Sequence, residues 1–433
     1  MDRFIGILGI ILILGLAYLL SNNRKAINYR TVGTGLLLQA GLAVFILKTS
    51  VGQSFFKWLG DAVTKVLSFS DAGAQFVFGI LAHSGAFQKV VDSAVAANGG
   101  QPLAFDDKGH DMVFGGFIFF FKIIPTIIFV ACLVNIMYHI GLMQKVVEVL
   151  AKGMNYFMRV SGAEALSNIS SAFVGQVEAQ IMIRPYLRGM TTSELMASMT
   201  GSFACIAGGV MATYIMFGVK AEYLIAASIM AAPGALAIAK IMHPETGEPE
   251  TKGSVKLKVE KAHSNIVDAI SAGCSDGLRV GLNVLAMLVG FLALIALIDF
   301  TLGSIGGWFG HSEWSLQTIL GWVFAGFAWA MGVPSNEMFT VGSLMGLKLA
   351  ANEFVAYVQL SQIKDTLSPK ALAIVSFALC GFANFGSVGI QIGGIGALEP
   401  DRRADLARLG FRALIAGTLA SYLSATLAGM MVG

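Results

Sequence analysis

Long stretches of this chain carry no charge at all. They are Phe4–Leu20, Thr31–Leu47, Ile123–Tyr138 (extended upstream by Met112–Phe121 across Lys122), Leu195–Val219, Tyr223–Ala239, Val280–Ile298, Trp314–Asn336, Ala371–Leu398 and Ala413–Gly433. About 20 apolar residues in a helix cross the hydrocarbon of a bilayer, so a chain built from such runs reads as an all-α polytopic membrane protein. Composition agrees: of 433 residues 56% are hydrophobic and 13% charged, against roughly 25% charged in a soluble domain. This excludes a disordered chain and argues against a large soluble enzyme. The four cysteines, Cys132, Cys205, Cys274 and Cys380, are widely spaced and form neither a disulfide framework nor a zinc pattern. A net charge of +3 points to no nucleic-acid partner.

Lysine and arginine in short loops set the orientation. Arg24, Lys25 and Arg30 place the first loop in the cytoplasm. Lys145, Lys152 and Arg159, the linker lysines Lys252, Lys256, Lys258 and Lys261, and the four arginines of EPDRRADLARLGFR belong on the same side. The first apolar run has a very short n-region and no small-x-small cleavage site before SNNRKAINYR, so it reads as a retained helix. The segment 48–111 is expected outside. Within it Phe55, Leu59, Val63 and Val66 share a helical face opposite Lys57, Asp61 and Lys65, which suits a helix lying in the interface or one packed on the protein's own outer surface.

Two stretches do not suit simple spanning helices. Ser161–Gly189 is interrupted by Gly175, Gln176, Glu178, Gln180, Arg184 and Pro185, and both its ends carry cytoplasmic signals. Trp314–Ala351 is broken at Gly332, Pro334, Ser335 and Asn336, just before Glu337. Both read as re-entrant hairpins, because irregular backbone at membrane depth persists only where protein or a water-filled cavity surrounds it. Each is followed by a glycine-rich break in a long apolar run, Gly201–Tyr214 and Cys380–Gly394, where Phe203-Ala204-Cys205 matches Phe382-Ala383-Asn384. Hairpin, broken helix and unbroken helix, repeated with opposite entry faces, form an inverted-topology repeat, which places a transport site near the midplane. The expected parts are 1–160 (N-terminal helices, interfacial helix and scaffold), 161–242 (first hairpin, broken helix and following helix), 243–313 (cytoplasmic linker and scaffold helix) and 314–433 (second hairpin, broken helix and final helix).

Charges at membrane depth are costly, about 2.5–3.5 kcal/mol on insertion scales, so Glu178 and Glu337 at the two hairpin breaks need a reason. Glu178 either pairs with Arg184 or faces a polar site. Glu337 either caps a helix after Pro334-Ser335-Asn336 or faces the same site. Asn384 and Ser387 either read a ligand or satisfy backbone freed by the break. Lys348, Glu353, His139 and Asp299 read as interfacial charges.

The motifs Gly175-Gln176-Val177-Glu178, Ile183-Arg184-Pro185-Tyr186-Leu187, Gly332-Val333-Pro334-Ser335-Asn336-Glu337, Asn352–Tyr357 (NEFVAY) and Gly381–Gly389 (GFANFGSVG) resemble the concentrative nucleoside transporters over nearly the whole chain. The resemblance implies a homotrimer, each protomer with eight transmembrane helices, two re-entrant hairpins and interfacial helices. It implies that Gln176 and Glu178 face the nucleobase, with Val210 as an apolar wall. Glu337, Asn384 and Ser387 would hold the ribose hydroxyls beside Phe382. A ribose diol offers two donors to a carboxylate, and an amide both donates and accepts. The chain departs from the family pattern at Val177, which lacks the usual hydroxyl, at Gln180, where Pro is common, and at Ser171 and Cys205. Sodium-coupled members carry Asn and Ser or Thr at these last two positions, completed by the carbonyls of Val174 and Ile206. A thiol is a poor ligand for a hard ion, so the expectation is an ion-coupled nucleoside importer of the bacterial inner membrane, driven by protons, with sodium as the alternative coupling ion. No cofactor is implied. An intramembrane enzyme and a passive channel are the other classes weighed. The chain shows no HExxH pair or nucleophile–base constellation to support the enzyme.

Overall fold

In the computed structural model, residues 2–83, 89–90, 93, 96–97, 118–252 and 263–432 are described. The upstream extension at Met112–Phe117, the residues of the external segment between 98 and 111, and Lys256, Lys258 and Lys261 lie outside them. Among the described residues all regular structure is helical: α1 Asp2–Leu19, α2 Tyr29–Lys48, α3 Ser50–Ser68, α4 Ser70–Phe78, α5 Phe119–His139, α6 Leu142–Met158, α7 Gly162–Ser171, α8 Glu178–Ile181, α9 Thr192–Ala204, α10 Gly208–Met216, α11 Ala221–Met242, α12 Ile266–Trp308, α13 Leu316–Ala330, α14 Met338–Ala350, α15 Glu353–Ile363, α16 Pro369–Leu379, α17 Phe385–Leu398 and α18 Arg403–Val432. Six described helical stretches are long and apolar enough to cross a membrane: Tyr29–Lys48, Phe120–His139, Thr192–Met216, Ala221–Met242, Ile266–Trp308 and Pro400–Val432. Shorter apolar helices, Ile5–Leu19 among them, accompany these six.

The helix starts follow from short polar signatures. Ser161 and Thr191 form capping boxes with Glu164 and Glu194 at the heads of α7 and α9. Asn352, Ser368 and Asn384 accept from the N3 backbone at the heads of α15, α16 and α17, satisfying donors a helix start leaves free.

The chain forms two compact units. One comprises residues 61–140 and 261–287. In it Ser70 and Thr126 share a hydrogen bond of 2.9 Å, and Lys122 pairs with Asp71 at 2.6 Å. Gly273, Gly277 and Gly281 face Cys132, Ile128 and Ile124 of α5 in antiparallel order; a Cβ at Gly277 would stand 2.5 Å from the Ile128 Cα. Small residues at every fourth position let helix backbones approach where apolar burial gives no drive.

The other unit comprises residues 1–60, 141–260 and 288–433. Helix α11 is almost wholly buried, with Leu224, Met230, Leu236 and Ile238 at 0% exposure. All of α7 is buried too. Its 10 residues reach about 15 Å, half the hydrocarbon thickness, as a re-entrant arm requires.

Three details differ from the sequence reading. The expected span Val280–Ile298 is the middle of one 43-residue helix, because Cys274–Arg279 interrupts the apolar run without breaking the backbone. The buried stripe of α3 is Phe56, Gly60 and Leu67, while Phe55 and Val66 are exposed, a rotation of one position. The turn after α13 does form at Gly332–Glu337, and α13 and α14 are antiparallel, with Gly342 against Ala325 and Gly346 against Leu320. However, Glu337 meets Ser368 at the head of α16. The turn that reaches the foot of α16 is Ala351–Asn352, between α14 and α15: Lys348 Nζ donates to the Ala378 carbonyl and Tyr357 to that of Ser376. The second hairpin that meets a helix break is therefore α14–α15.

Candidate functional site

Two helices are interrupted. Helix α9 ends at Cys205 and resumes as α10 after Ala207; α16 ends at Cys380 and resumes as α17 after Asn384. By element, Cys205 corresponds to Cys380, so the three-residue match seen in the sequence is out of register with the helix ends. The breaks are joined. The Phe382 N–H donates to the Cys205 carbonyl at 3.2 Å. Gly381 has φ +140°, and a Cβ there would stand 2.7 Å from the Phe203 carbonyl oxygen. Only glycine takes this backbone without strain.

Both hairpin turns end on these breaks. In the first, the Phe173 carbonyl accepts from Gly208 N–H at 3.2 Å. A line of polar side chains then crosses from one hairpin to the other. Gln176 Nε2 donates to Ser387 Oγ at 3.4 Å, and the Ser387 N–H donates to Asn384 Oδ1 at 2.8 Å. Asn384 Nδ2 donates to Glu353 Oε2 at 3.0 Å, and the Tyr214 hydroxyl donates to Glu353 Oε1 at 3.1 Å. Gln176, Glu353, Asn384 and Ser387 are all buried. Asn384 thus both caps α17 and turns its amide toward a carboxylate.

The structure therefore brings Gln176, Asn384 and Ser387 together. Phe382 joins them through its backbone, and Val177 packs against α17, where a Cβ on Gly394 would stand 2.5 Å from a Val177 methyl. Val210 is half-buried near the start of α10. Glu178 is exposed, and a Cβ at Gly175 would collide with its carboxylate. Among the described residues no ion pair joins Glu178 to Arg184.

Glu337 stands elsewhere. Its Oε1 and Oε2 accept from the Ser368 N–H at 2.7 Å and the Ser368 hydroxyl at 2.6 Å. It caps a later helix, not its own. Ser368 precedes the 11 residues of α16, and twelve helical steps of about 1.5 Å separate it from Cys380. The carboxylate beside Asn384 is Glu353. Sequence reasoning placed Glu353 and Lys348 at the interface, yet they are 5% and 1% exposed. The partners that bury them lie on other helices, and the N-cap residue Asn352 was the one local signal.

The expected sodium ligands sit beside a cluster of hydroxyls. Ser171 Oγ donates to the Ser167 carbonyl at 2.9 Å and lies 3.0 Å from Ser202 Oγ. Gln180 Nε2 donates to Ser202 at 2.9 Å and to Ser167 at 3.1 Å, and its Oε1 accepts from Ser198 at 2.6 Å. The Cys205 thiol is turned to the Ser228 carbonyl, 3.7 Å away. Val174 and Ile206 are buried next to the linked backbone of Phe173 and Gly208.

Comparison with known proteins agrees with this architecture. Residues 8–81 and 223–429 match the N- and C-terminal family models "Na+ dependent nucleoside transporter", and residues 120–221 match "Nucleoside recognition". The putative nucleoside permease NupX of Escherichia coli is 38% identical over 100% of both chains. Sodium/nucleoside cotransporter 1 of mouse is 36% identical over 99% of this chain and 64% of its own length. The solved structure of CNTnw in an inward-facing substrate-bound state superposes with a TM-score of 0.89 at 39% identity, covering 100% of this chain and 98% of the other. The chain belongs to the concentrative nucleoside transporter family of multi-pass membrane proteins.

Proposed function

We propose that this protein imports nucleosides across the inner membrane by symport with a cation, as a homotrimer. The observation that supports it most directly is the line Gln176–Ser387–Asn384–Glu353 across the joined breaks. Glu353 accepts from the vicinal hydroxyls of a ribose, and Asn384 and Ser387 donate and accept beside it. Gln176, with Glu178 and the apolar Val177 and Val210 near it, takes the base. Glu337 keeps a capping role. The hairpins and breaks move as one body past the surrounding helices, exposing the site to each side in turn.

The coupling ion has two readings. Cys205, a thiol turned toward Ser228, supplies no oxygen to the sodium set of Ser171, Val174, Cys205 and Ile206, which supports a proton. The family description supports sodium, and so does Ser202, whose hydroxyl beside Ser171 supplies a second side-chain oxygen. Labelled uridine uptake by purified protein in liposomes, with sodium and pH gradients imposed separately, decides between them. Uptake that follows external acidity without sodium supports the proton. Uptake that needs a sodium gradient at constant pH supports sodium. Absence of accumulation against a uridine gradient under either condition rejects symport. Light scattering of the detergent-solubilised protein tests the trimer by its mass.

A further inference from the structure

One polar side chain at the hairpin–break junction has no part in the family resemblance. Gln391, in the middle of α17, is 0% exposed. Ser387, Gln391 and Gly394 are spaced i, i+4, i+7, so they lie on one face of α17. That face receives the first hairpin's turn: Ser387 and Gln391 meet Gln176, and Gly394 meets Val177.

The orientation of the Gln391 amide is fixed by its neighbours. Its Nε2 donates to the Met199 carbonyl and to Gln176 Oε1, both at 3.4 Å. A backbone carbonyl accepts only, so a flipped amide would set two acceptors face to face. Gln391 Oε1 therefore points the other way, and among the described residues it is a buried acceptor with no hydrogen-bond partner. A buried acceptor left unmade is costly, and this one adjoins the side chain that faces the base.

We infer that Gln391 reads the nucleobase, its carbonyl oxygen accepting a hydrogen bond from an N–H on the base edge, such as the exocyclic amine of cytosine or adenine. This rests on the nucleoside reading above and adds a recognition residue to it. Gln391 also steadies Gln176 through the second half of its amide, so one residue serves both the base and the hairpin that closes on it.

The test uses pairs of ligands that differ by the donor alone: cytidine against zebularine, and adenosine against nebularine, each lacking the amine without added bulk. Binding to the purified full-length protein is measured by calorimetry, with thermal stability confirming the fold of each variant. The wild type should favour the amine-bearing member of at least one pair by roughly tenfold. Gln391→Leu should bring that ratio close to one. A wild-type ratio near one for both pairs overturns the inference. So does an equal loss of affinity for both members in Gln391→Leu with the ratio intact, since that is the signature of a residue that only steadies Gln176 or holds a water. If Gln391→Leu does not fold, Gln391→Met, which keeps the length of the side chain and removes the carbonyl oxygen, takes its place with the same expected loss of preference. Failure of the wild type to bind any nucleoside rejects the underlying reading as well, and is distinguishable from the other two outcomes.

Discussion

Two glutamates separate the roles that a sequence pattern runs together. Glu337 follows a Gly-Val-Pro turn and has both oxygens occupied by Ser368, whereas Glu353 follows an N-cap asparagine and meets Asn384 and Tyr214. The two substitutions should therefore behave differently. Glu353→Gln should weaken uridine binding at least about tenfold, the scale of one charged hydrogen bond of about 1.5–3 kcal/mol. Glu337→Gln should leave affinity nearly unchanged and lower thermal stability. Calorimetry on both variants checks this, and the reverse pattern would return the ribose role to Glu337. Gln176, Asn384 and Ser387, which the structure brings together at the joined breaks, were legible as a group because polar groups and glycines interrupt an otherwise apolar text. Glu353, Lys348 and Gln391 were not, because a charge or amide beside an apolar run looks the same whether it ends the run at the interface or turns inward to a distant helix.

At the scale of elements, the first hairpin was readable from its polar interruptions and the cytoplasmic charges at its ends. The second was misplaced by one helix. Gly332, Pro334 and Ser335 punctuate the chain more strongly than Ala351-Asn352, yet the weaker signal marks the turn that reaches a break. Local turn chemistry fixes where a chain reverses, while packing decides which reversal meets the broken helix. The joint between the breaks offers a sharp prediction. Gly381→Ala adds a Cβ where φ is +140° and the Phe203 and Ala204 carbonyl oxygens stand at 2.7 and 2.9 Å. The strain should cost about 1–3 kcal/mol and weaken the link from Phe382 to Cys205. A fall in melting temperature together with lost uptake is expected; wild-type values in both measurements would mean that the breaks are not held by this contact.

Across the larger unit, the first hairpin is tied down at its base by charge. Lys240, near the end of α11, lies 2.7 Å from Glu164 at the head of α7, with side chains 6% and 2% exposed, and donates to Ser193 at 2.9 Å. Buried pairs are strongly destabilised when one partner is removed, by about 3–5 kcal/mol. Lys240→Met should therefore lower stability sharply. Adding Glu164→Gln, which keeps the cap to Ser161 while removing the stranded charge, should recover much of the loss. Denaturation in detergent micelles measures both, and equal stability of Lys240→Met and wild type would exclude the pair as a clamp.

The 43 residues of α12 have one more consequence. At about 1.5 Å per residue the helix is about 65 Å long, twice the hydrocarbon it crosses. Transmembrane helices lean by up to about 40°, and even at that angle a crossing uses only about 26 residues. Some 17 must lie beyond the oily layer. The end rich in Asp268, Ser271, Ser275, Asp276 and Arg279 is chemically suited to the headgroups and water. A helix longer than the layer it crosses is sensitive to bilayer thickness: a thicker membrane draws more of its polar end inward, so uptake in liposomes of increasing lipid chain length should change in rate while uridine affinity stays the same.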